Sequence, residues 1–305
     1  MAGSAVSMPL GEGSGVLPRR AGLLVFGISA VASALLCLVL GFSPFVWLIF
    51  TGLFSLVTIT VWSLAVEGRR RALDRVMTVV IVEIFVLALV PLISLVYTVV
   101  SEGLARFDVQ FLTEDMRGVV GEGGGAFHAA MGTFIITAFA TVAAVPVGVL
   151  AAIYLVEYGK GRLKRSITFF VDVMMGIPSI VAGLFAFALF ALFFGPGIRL
   201  GIMGSVALMV LMIPIVIRSA EEMLRVVPNS LREASYALGV PKWLTVLRVV
   251  LPTALAGIVT GVMLAVARVI GETAPLLVTT GSIDTTNLDP FDGRMANLPV
   301  YVYEQ

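Results

Sequence analysis

Two charged residues interrupt an apolar stretch near the carboxyl end of the sequence. Arg268 and Glu272 lie four residues apart in a run, from about 249 to 278, that is otherwise free of charge. Charged side chains inside a membrane segment are expensive and usually functional, and this spacing predicts that both share one helix face. Two interpretations stay open: a structural ion pair, or an arginine on a translocation path that binds an anion through two oxygens.

Three other charged residues lie in or beside apolar stretches. Arg218 ends the run 202–217. It is either a helix-end arginine that extends its charge to the membrane surface or an inner binding point for the same anion. Glu83 is predicted to pack against a neighbouring helix or to pair with a basic residue of another subunit. Asp172 is predicted to reach the membrane surface.

Other kinds of chemistry lack the residues that they require. The sequence holds one histidine, His128, and one cysteine, Cys37, so the chain cannot by itself assemble a zinc or haem site of the usual ligand types. The glycine-rich segment 121–125 lacks the Gly-Lys-Ser/Thr ending of a phosphate-binding loop, and no Walker A sequence occurs elsewhere. We therefore expect that this chain is not an enzyme, does not hydrolyse ATP and binds no metal or cofactor.

The composition indicates a membrane protein. Of the 305 residues, 59% are hydrophobic and 13% are charged, with a mean hydropathy of +1.06. A soluble domain carries about 25% charged residues, so soluble enzymes and disordered chains are excluded. A net charge of +1 gives no support to nucleic-acid binding.

Seven stretches are long and apolar enough to cross a hydrocarbon core of ~30 Å. They cover residues 22–40, 42–66, 76–100, 129–156, 167–194, 202–217 and 249–278. Because they are apolar on every face, they are not soluble amphipathic helices. The predicted fold class is all-α, a polytopic transmembrane helical bundle, and we expect Pro146, Pro178 and Pro214 to kink their helices.

The basic residues predict how the chain is oriented. Fifteen of the twenty Lys and Arg residues lie in alternate loops, namely Arg19, Arg20, Arg69, Arg70, Arg71, Arg75, Lys160, Arg162, Lys164, Arg165, Arg218, Arg225, Arg232, Lys242 and Arg248. Cytoplasmic loops carry such an excess. We therefore expect a cytoplasmic amino terminus and tail (1–20), an external loop at 101–128 and, with seven crossings, an external carboxyl terminus.

The loop of about 218–248 differs from the others. Asn229 or Ser230 is suited to cap a helix that starts after Pro228, and Gly239 followed by Pro241 ends it. Leu231, Ala234, Ser235 and Leu238 are predicted to lie on one face of this helix. A short, bounded helix with a partly apolar face is suited to a groove on another protein. An amphipathic helix on the lipid surface fits less well, because acidic and basic residues are mixed here.

This loop carries the spacing of a known motif. Its residues are Glu233, Ala234, Ser235, Gly239, Val249, Leu251 and Pro252. The pattern resembles the EAA loop of ABC-importer permeases, with Ser235 in place of the usual second alanine. Four further stretches, at 154–159, 176–181, 221–228 and 268–276, resemble the PstA-type permeases of phosphate ABC importers, of which the last is the most specific for phosphate.

The resemblance covers about residues 69–305 and implies a type I ABC importer permease core of the MetI-like class. It implies an inner-membrane subunit of a prokaryotic ATP-driven phosphate importer that forms half of the pathway. The EAA residues would couple it to an ATP-binding subunit, which binds ATP and Mg, while Arg268, Glu272 and Arg218 would line the phosphate path. The implied partners are that subunit, a second permease of the PstC type, an extracellular or periplasmic phosphate-binding protein, and the lipid bilayer.

Two features depart from the family's usual pattern. The spans within 21–68 form an amino-terminal addition, and the family's final span after Leu298 and Pro299 does not occur in the sequence. Two alternatives therefore remain beside phosphate transport: a permease for another oxyanion such as sulfate or molybdate, and a truncated scaffold or signalling subunit that does not transport.

Overall fold

The computed structural model describes residues 17–18, 20–41, 43–121 and 123–304. Most of the predicted cytoplasmic tail (1–20), with Arg19, lies outside the described residues, as do Phe42 and Glu122. Within the described ranges the chain contains helices and no strand. It divides into two compact units, Met1–Ala105 and Arg106–Gln305, whereas the sequence placed the start of the permease domain at residue 69.

The described part of the first unit contains three long helices: α1 (Ala21–Leu40), α2 (Pro44–Glu67) and α3 (Arg69–Gly103). Hydrogen bonds between polar side chains join these helices, because apolar contacts alone do little to fix which faces of membrane helices meet. The Ser33 and Thr51 hydroxyls lie 2.6 Å apart between α1 and α2. Ser55 of α2 donates a hydrogen bond to Glu83 of α3, so Glu83 packs against a neighbouring helix, which is one of its two predicted roles.

The second unit contains ten helices in its described part and carries the residues of the EAA-like loop. They are α4 (Val109–Thr113), α5 (Phe127–Ile153), α6 (Gly161–Met175), α7 (Ser179–Phe194), α8 (Gly201–Val226), α9 (Asn229–Ala237), α10 (Lys242–Thr245), α11 (Leu251–Val269), α12 (Ala274–Thr279) and α13 (Leu298–Glu304). Two π-helical segments, Tyr154–Tyr158 and Val246–Val250, continue α5 and precede α11.

The core of the second unit lies where α8 packs between α5 and α11. Ile136, Leu208, Met212, Val216 and Ala265 are fully buried there. Glycines allow these backbones to approach closely, as is usual where membrane helices meet.

Gly132 shows how close the approach is. A Cβ atom at this position would lie 1.9 Å from the Ala296 carbonyl oxygen. The segment before α13 is therefore packed directly against α5, and the Leu298 amide donates to the Thr133 hydroxyl at 2.8 Å.

The prediction of one continuous helical span over residues 167–194 is wrong. The chain breaks at residues 176–178, and α6 and α7 meet at a bend of 107°. Proline disfavours helical backbone at the residue before it, so Pro178 separates two helices instead of kinking one. At ~1.5 Å per residue, α6 with its 15 residues is too short to cross a bilayer.

Six helices of the described chain are long and apolar enough to cross a membrane, and the bent pair α6–α7 would raise the number to seven. Five of the predicted spans correspond to α1, α2, α3, α5 and α8. The last, predicted as 249–278, is displaced toward the amino end: the span covers Lys242–Val269, and a turn after Val269 separates it from α12.

Candidate functional site

Helix α9 forms the centre of the EAA-like loop, and prolines and a glycine set its limits. Its first residue is Asn229, and the preceding Pro228 has an extended ψ of 138°. Neither Asn229 nor Ser230 caps the helix through its side chain, which corrects that part of the prediction. Gly239 has a φ of +77°, a left-handed conformation that ends helices and suits glycine. The predicted start and stop of the helix are confirmed.

The face that α9 exposes differs from the predicted one by a single residue. Leu231, Ala234 and Leu238 are exposed, with Leu238 at 83%. Ser235 is buried instead, and its hydroxyl lies 2.8 Å from that of Thr245 in α10. Ser235 therefore holds α9 against α10 and does not belong to the surface that the helix presents.

The remaining EAA residues take two different positions. Glu233 and Gly239 are exposed beside Ala234 on the surface of the loop. Leu251 and Pro252 form the first turn of α11, where Leu251 packs against a buried cluster that contains Ala220 and Leu224 of α8. The motif thus combines exposed residues on α9 with residues that fix the base of the loop.

An ion pair that the sequence did not predict anchors α9 to the helical body. Arg232 Nε donates to Glu157 Oε1 at 3.0 Å, and Nη2 lies 2.9 Å from the same oxygen in an ion pair. The side chains are only 12% and 5% exposed. Arg232 also donates to the carbonyls of Val227 and Leu224 at 2.6 and 2.9 Å, so its guanidinium closes the end of α8 as well.

Glu157 owes its position to the π-helical segment Tyr154–Tyr158, which continues α5. Such segments often occur at functional positions. Lys242 donates a hydrogen bond to the Glu157 carbonyl, and its ammonium lies 5.1 Å from the centre of the Tyr158 ring. One signal in the sequence pointed to this residue: Glu157 is an acidic residue directly before the basic group 160–165.

A second charged cluster joins α6 to α8. Arg218 forms ion pairs with Asp172 of α6 and, at 3.2 Å, with Glu221. Glu221 is 4% exposed and pairs with Arg225 at 2.6 Å. Arg218 lies well inside α8, which continues to Val226, so it does not end its helix as predicted. Asp172 is its partner across the bend.

The prediction that Arg268 and Glu272 share one helix face is wrong. Arg268 occupies the last turn of α11, and Glu272 follows the end of that helix, with its amide hydrogen-bonded to the Val269 carbonyl at 3.2 Å. Among the described residues, neither side chain has a hydrogen bond or an ion pair. Arg268 is exposed, although it lies three residues after the buried Ala265 and therefore close to the buried face of α11.

Within the described ranges, no group of three or more His, Cys, Asp or Glu residues is arranged to hold a metal ion. A short helix is clamped to α5 and α8 through buried charges, and an exposed cation lies at the end of α11.

Comparisons with known proteins match this part of the chain. Residues 144–302 match the family described as binding-protein-dependent transport system inner membrane component. A phosphate transport system permease protein PstA 1 of Mycobacterium tuberculosis (strain CDC 1551 / Oshkosh) is 48% identical over 240 residues, which are 78% of this chain and 79% of that protein. The matched family region contains all the residues of the EAA-like loop.

Other relatives carry the same description. The phosphate transport system permease protein PstA of Mycobacterium leprae (strain TN) is 48% identical over 245 residues, covering 79% of this chain and 80% of that protein. The protein of that description from Yersinia pestis is 38% identical over 242 residues, covering 78% and 80%. A solved structure of the MetNI methionine ABC transporter, in an inward-facing conformation, is 27% identical with a TM-score of 0.42, covering 52% of this chain and 75% of that one.

Proposed function

The chain belongs to the family of binding-protein-dependent transport system inner membrane components, and on that premise we propose that it is the PstA-type permease subunit of an ATP-driven phosphate importer. The observation that carries this proposal is the 48% identity over 240 residues to a protein described as a phosphate permease. The identity extends well beyond the EAA-like loop, which is shared by importers of many substrates. No observation on this chain favours sulfate, molybdate or a scaffold that does not transport.

We propose that α9 is the helix through which an ATP-binding subunit acts on this chain. Its exposed residues Leu231, Ala234 and Leu238 supply a narrow apolar surface of the kind that docks in a groove. The buried pair of Arg232 and Glu157 supports this role, because it connects α9 directly to the π-helical segment that continues α5. Movement of α9 would then be passed to the membrane helices, while ATP and Mg would be bound by the partner.

Arg268 is the proposed contact for phosphate. Its guanidinium has no partner among the described residues, so its donors remain available for two oxygens of a phosphate group. A charge at the end of an apolar helix needs protein or water around it rather than lipid. The exposed side of α11 would therefore face the second permease and the path between them, with Glu272 nearby and Arg218 at the other end of the path.

The basic loops support the proposed orientation. Lys and Arg residues gather at the start of α6 and around α9, which would place both in the cytoplasm of a prokaryotic cell, with the amino terminus on the same side. In a Cys37→Ala background, a cysteine introduced in the loop 101–128 should react with an impermeant maleimide in intact cells. Reaction only after permeabilisation would show the opposite orientation.

Uptake measurements test the function itself. Cells that lack other phosphate importers would express this chain together with an ATP-binding subunit, a second permease and a phosphate-binding protein, and accumulation of labelled phosphate would be followed with excess sulfate or molybdate as competitors. We expect ATP-dependent phosphate uptake that neither competitor reduces. Uptake that is abolished by sulfate or molybdate, or no uptake with a complex that assembles normally, would contradict the proposal.

A further inference from the structure

A cavity of about 400 Å³ lies beside α9, between this helix and the ends of α5, α6 and α8. Its described lining consists of Val156, Glu157, Lys164, Arg225, Asn229, Arg232, Tyr236 and Lys242. Four of these side chains are cationic and one is a carboxylate, so the formal charge of the described lining is 4 − 1, or +3. The cavity is thus a concentrated positive site separate from Arg268.

The one carboxylate in the lining already has a partner and leaves the other three cations without a counter-charge inside the lining. Glu157 is already held by Arg232 at 2.9 Å. Arg225 uses one nitrogen, Nη2, for Glu221 at 2.6 Å, which leaves its Nε and Nη1 donors. Lys164 has no hydrogen bond or ion pair with any described residue. Several charged donors therefore border the cavity with hydrogen-bonding capacity in excess of what the chain itself uses.

The size and the donors of the cavity fit a phosphate group. One water molecule occupies about 30 Å³ in the liquid, so the cavity has room for an oxyanion with part of its hydration shell. Cations that line a concave surface raise the local concentration of anions. The guanidinium of Arg225 can take two oxygens, while the ammonium groups of Lys164 and Lys242 act as point charges.

We propose that this cavity binds a phosphate-type oxyanion and thereby ties α9 to α6 and α8. The inference rests on the proposed function in one respect, namely that the cavity faces the cytoplasm, where imported phosphate is released. Lys164 of α6 and Tyr236 of α9 would then bind the same anion. The product of transport would then restrain the helix that couples ATP hydrolysis to the membrane. The phosphate of an anionic lipid headgroup has the same chemistry as the free ion.

The lysines of the chain provide a direct test. The sequence contains three, of which Lys164 and Lys242 line the cavity and Lys160 lies outside it. The assembled transporter in inverted membrane vesicles would be acetylated with a water-soluble amine reagent, with inorganic phosphate or with chloride at equal ionic strength, and analysed by peptide mass spectrometry. We expect millimolar phosphate to reduce the acetylation of Lys164 and Lys242 several-fold and saturably, while Lys160 is unaffected. Equal labelling in phosphate and chloride would overturn the proposal.

A binding measurement keeps the test decisive if a partner subunit shields these lysines from the reagent. Labelled inorganic phosphate would be titrated against the transporter in nanodiscs without its binding protein, for the wild type, Lys164→Glu and the matched control Arg165→Glu. Arg165 is an exposed cation on α6 that does not line the cavity. We expect Lys164→Glu alone to lose one binding site. Identical binding by all three proteins would refute the proposal.

Varying the lipid distinguishes a free phosphate ion from a lipid headgroup as the bound anion. In nanodiscs of phosphatidylcholine alone, protection of the two lysines by added phosphate identifies the free ion. Protection that appears with phosphatidylglycerol and without phosphate identifies a headgroup, and protection by neither overturns the site. Because these readouts need no transport, they remain interpretable if uptake experiments assign the permease another substrate.

Discussion

The ion pair between Arg232 and Glu157 gives the sharpest prediction about how α9 is held. Removing one partner of a buried pair leaves the other charge uncompensated and costs about 3–5 kcal/mol. In Arg232→Ala, Glu157 is left 5% exposed without its cation, and the carbonyls of Val227 and Leu224 lose their donor. We take the lower value, about 3 kcal/mol, because α9 lies at the surface and water can enter.

The predicted effect is a change in how often α9 separates from the helical body. At 1.4 kcal/mol per factor of ten, about 3 kcal/mol increases the open population ~100-fold. Hydrogen exchange of the α9 amides, measured on the assembled transporter, reports this population. We expect exchange to be about two orders of magnitude faster in Arg232→Ala, with loss of transport-coupled ATP hydrolysis. Arg248→Ala, an exposed arginine near α10, is the matched control.

Two further variants separate the charge from the hydrogen bonds. Glu157→Gln keeps an acceptor for Arg232 but removes its counter-charge, so its effect should be about 2 kcal/mol, smaller than that of Arg232→Ala. The double variant Arg232→Met with Glu157→Leu should recover part of the loss, because a buried ion pair can often be replaced by apolar residues of similar volume. Exchange in Arg232→Ala within a few-fold of the wild type would refute the view that this pair clamps α9.

Four further outcomes follow from individual positions. Gly239→Ala should cost about 1–2 kcal/mol at its φ of +77° and reduce co-purification of the ATP-binding subunit, whereas unchanged co-purification would count against the coupling role. Arg268→Lys should lower phosphate uptake about tenfold with normal membrane abundance, since lysine cannot form a two-pronged contact, and near-normal uptake would remove Arg268 from the path. Gly132→Ala should lower the melting temperature through a clash with the Ala296 carbonyl worth about 1–3 kcal/mol, and an unchanged melting temperature would show that the segment before α13 moves freely. The backbone amides of Arg117 and Thr286 donate to Asp115 and hold the pKa of its carboxyl group below the usual range. The ionised carboxylate therefore stabilises the folded protein above the usual pKa, and this stabilisation is lost as the pH falls through the lowered pKa. Asp115→Asn should weaken the acid dependence of the melting temperature, and an acid profile identical to that of the wild type would contradict this prediction.

Local sequence was sufficient for features that depend on neighbouring residues. Apolar runs of about twenty residues predicted α1, α2, α5 and α8 because a bilayer requires that length. Pro228, Gly239 and Pro241 predicted the limits of α9, since proline and a left-handed glycine constrain the backbone at their own positions. The EAA-like spacing depends on the same short segment.

Local patterns were least reliable where a helix ended inside an apolar stretch. Hydropathy does not distinguish a continuous helix from two helices joined by a turn, because the turn at 176–178 contains no charged residue and the one after Val269 contains a single one, Glu272. Arg268 and Glu272 were therefore predicted to share one helix face, whereas α11 ends between them at Val269.

Contacts between distant residues were decided by the tertiary structure alone. Arg218 meets Asp172 across 46 positions, and Arg232 meets Glu157 across 75. Which charges pair depends on the bend between α6 and α7 and on the π-helical segment after α5, and neither is encoded by spacing within one helix. The orientation of Ser235 toward Thr245 was also decided by the tertiary structure. Because α9 has small residues on two sides, either side could pack against α10, and the observed packing buries the side with Ser235.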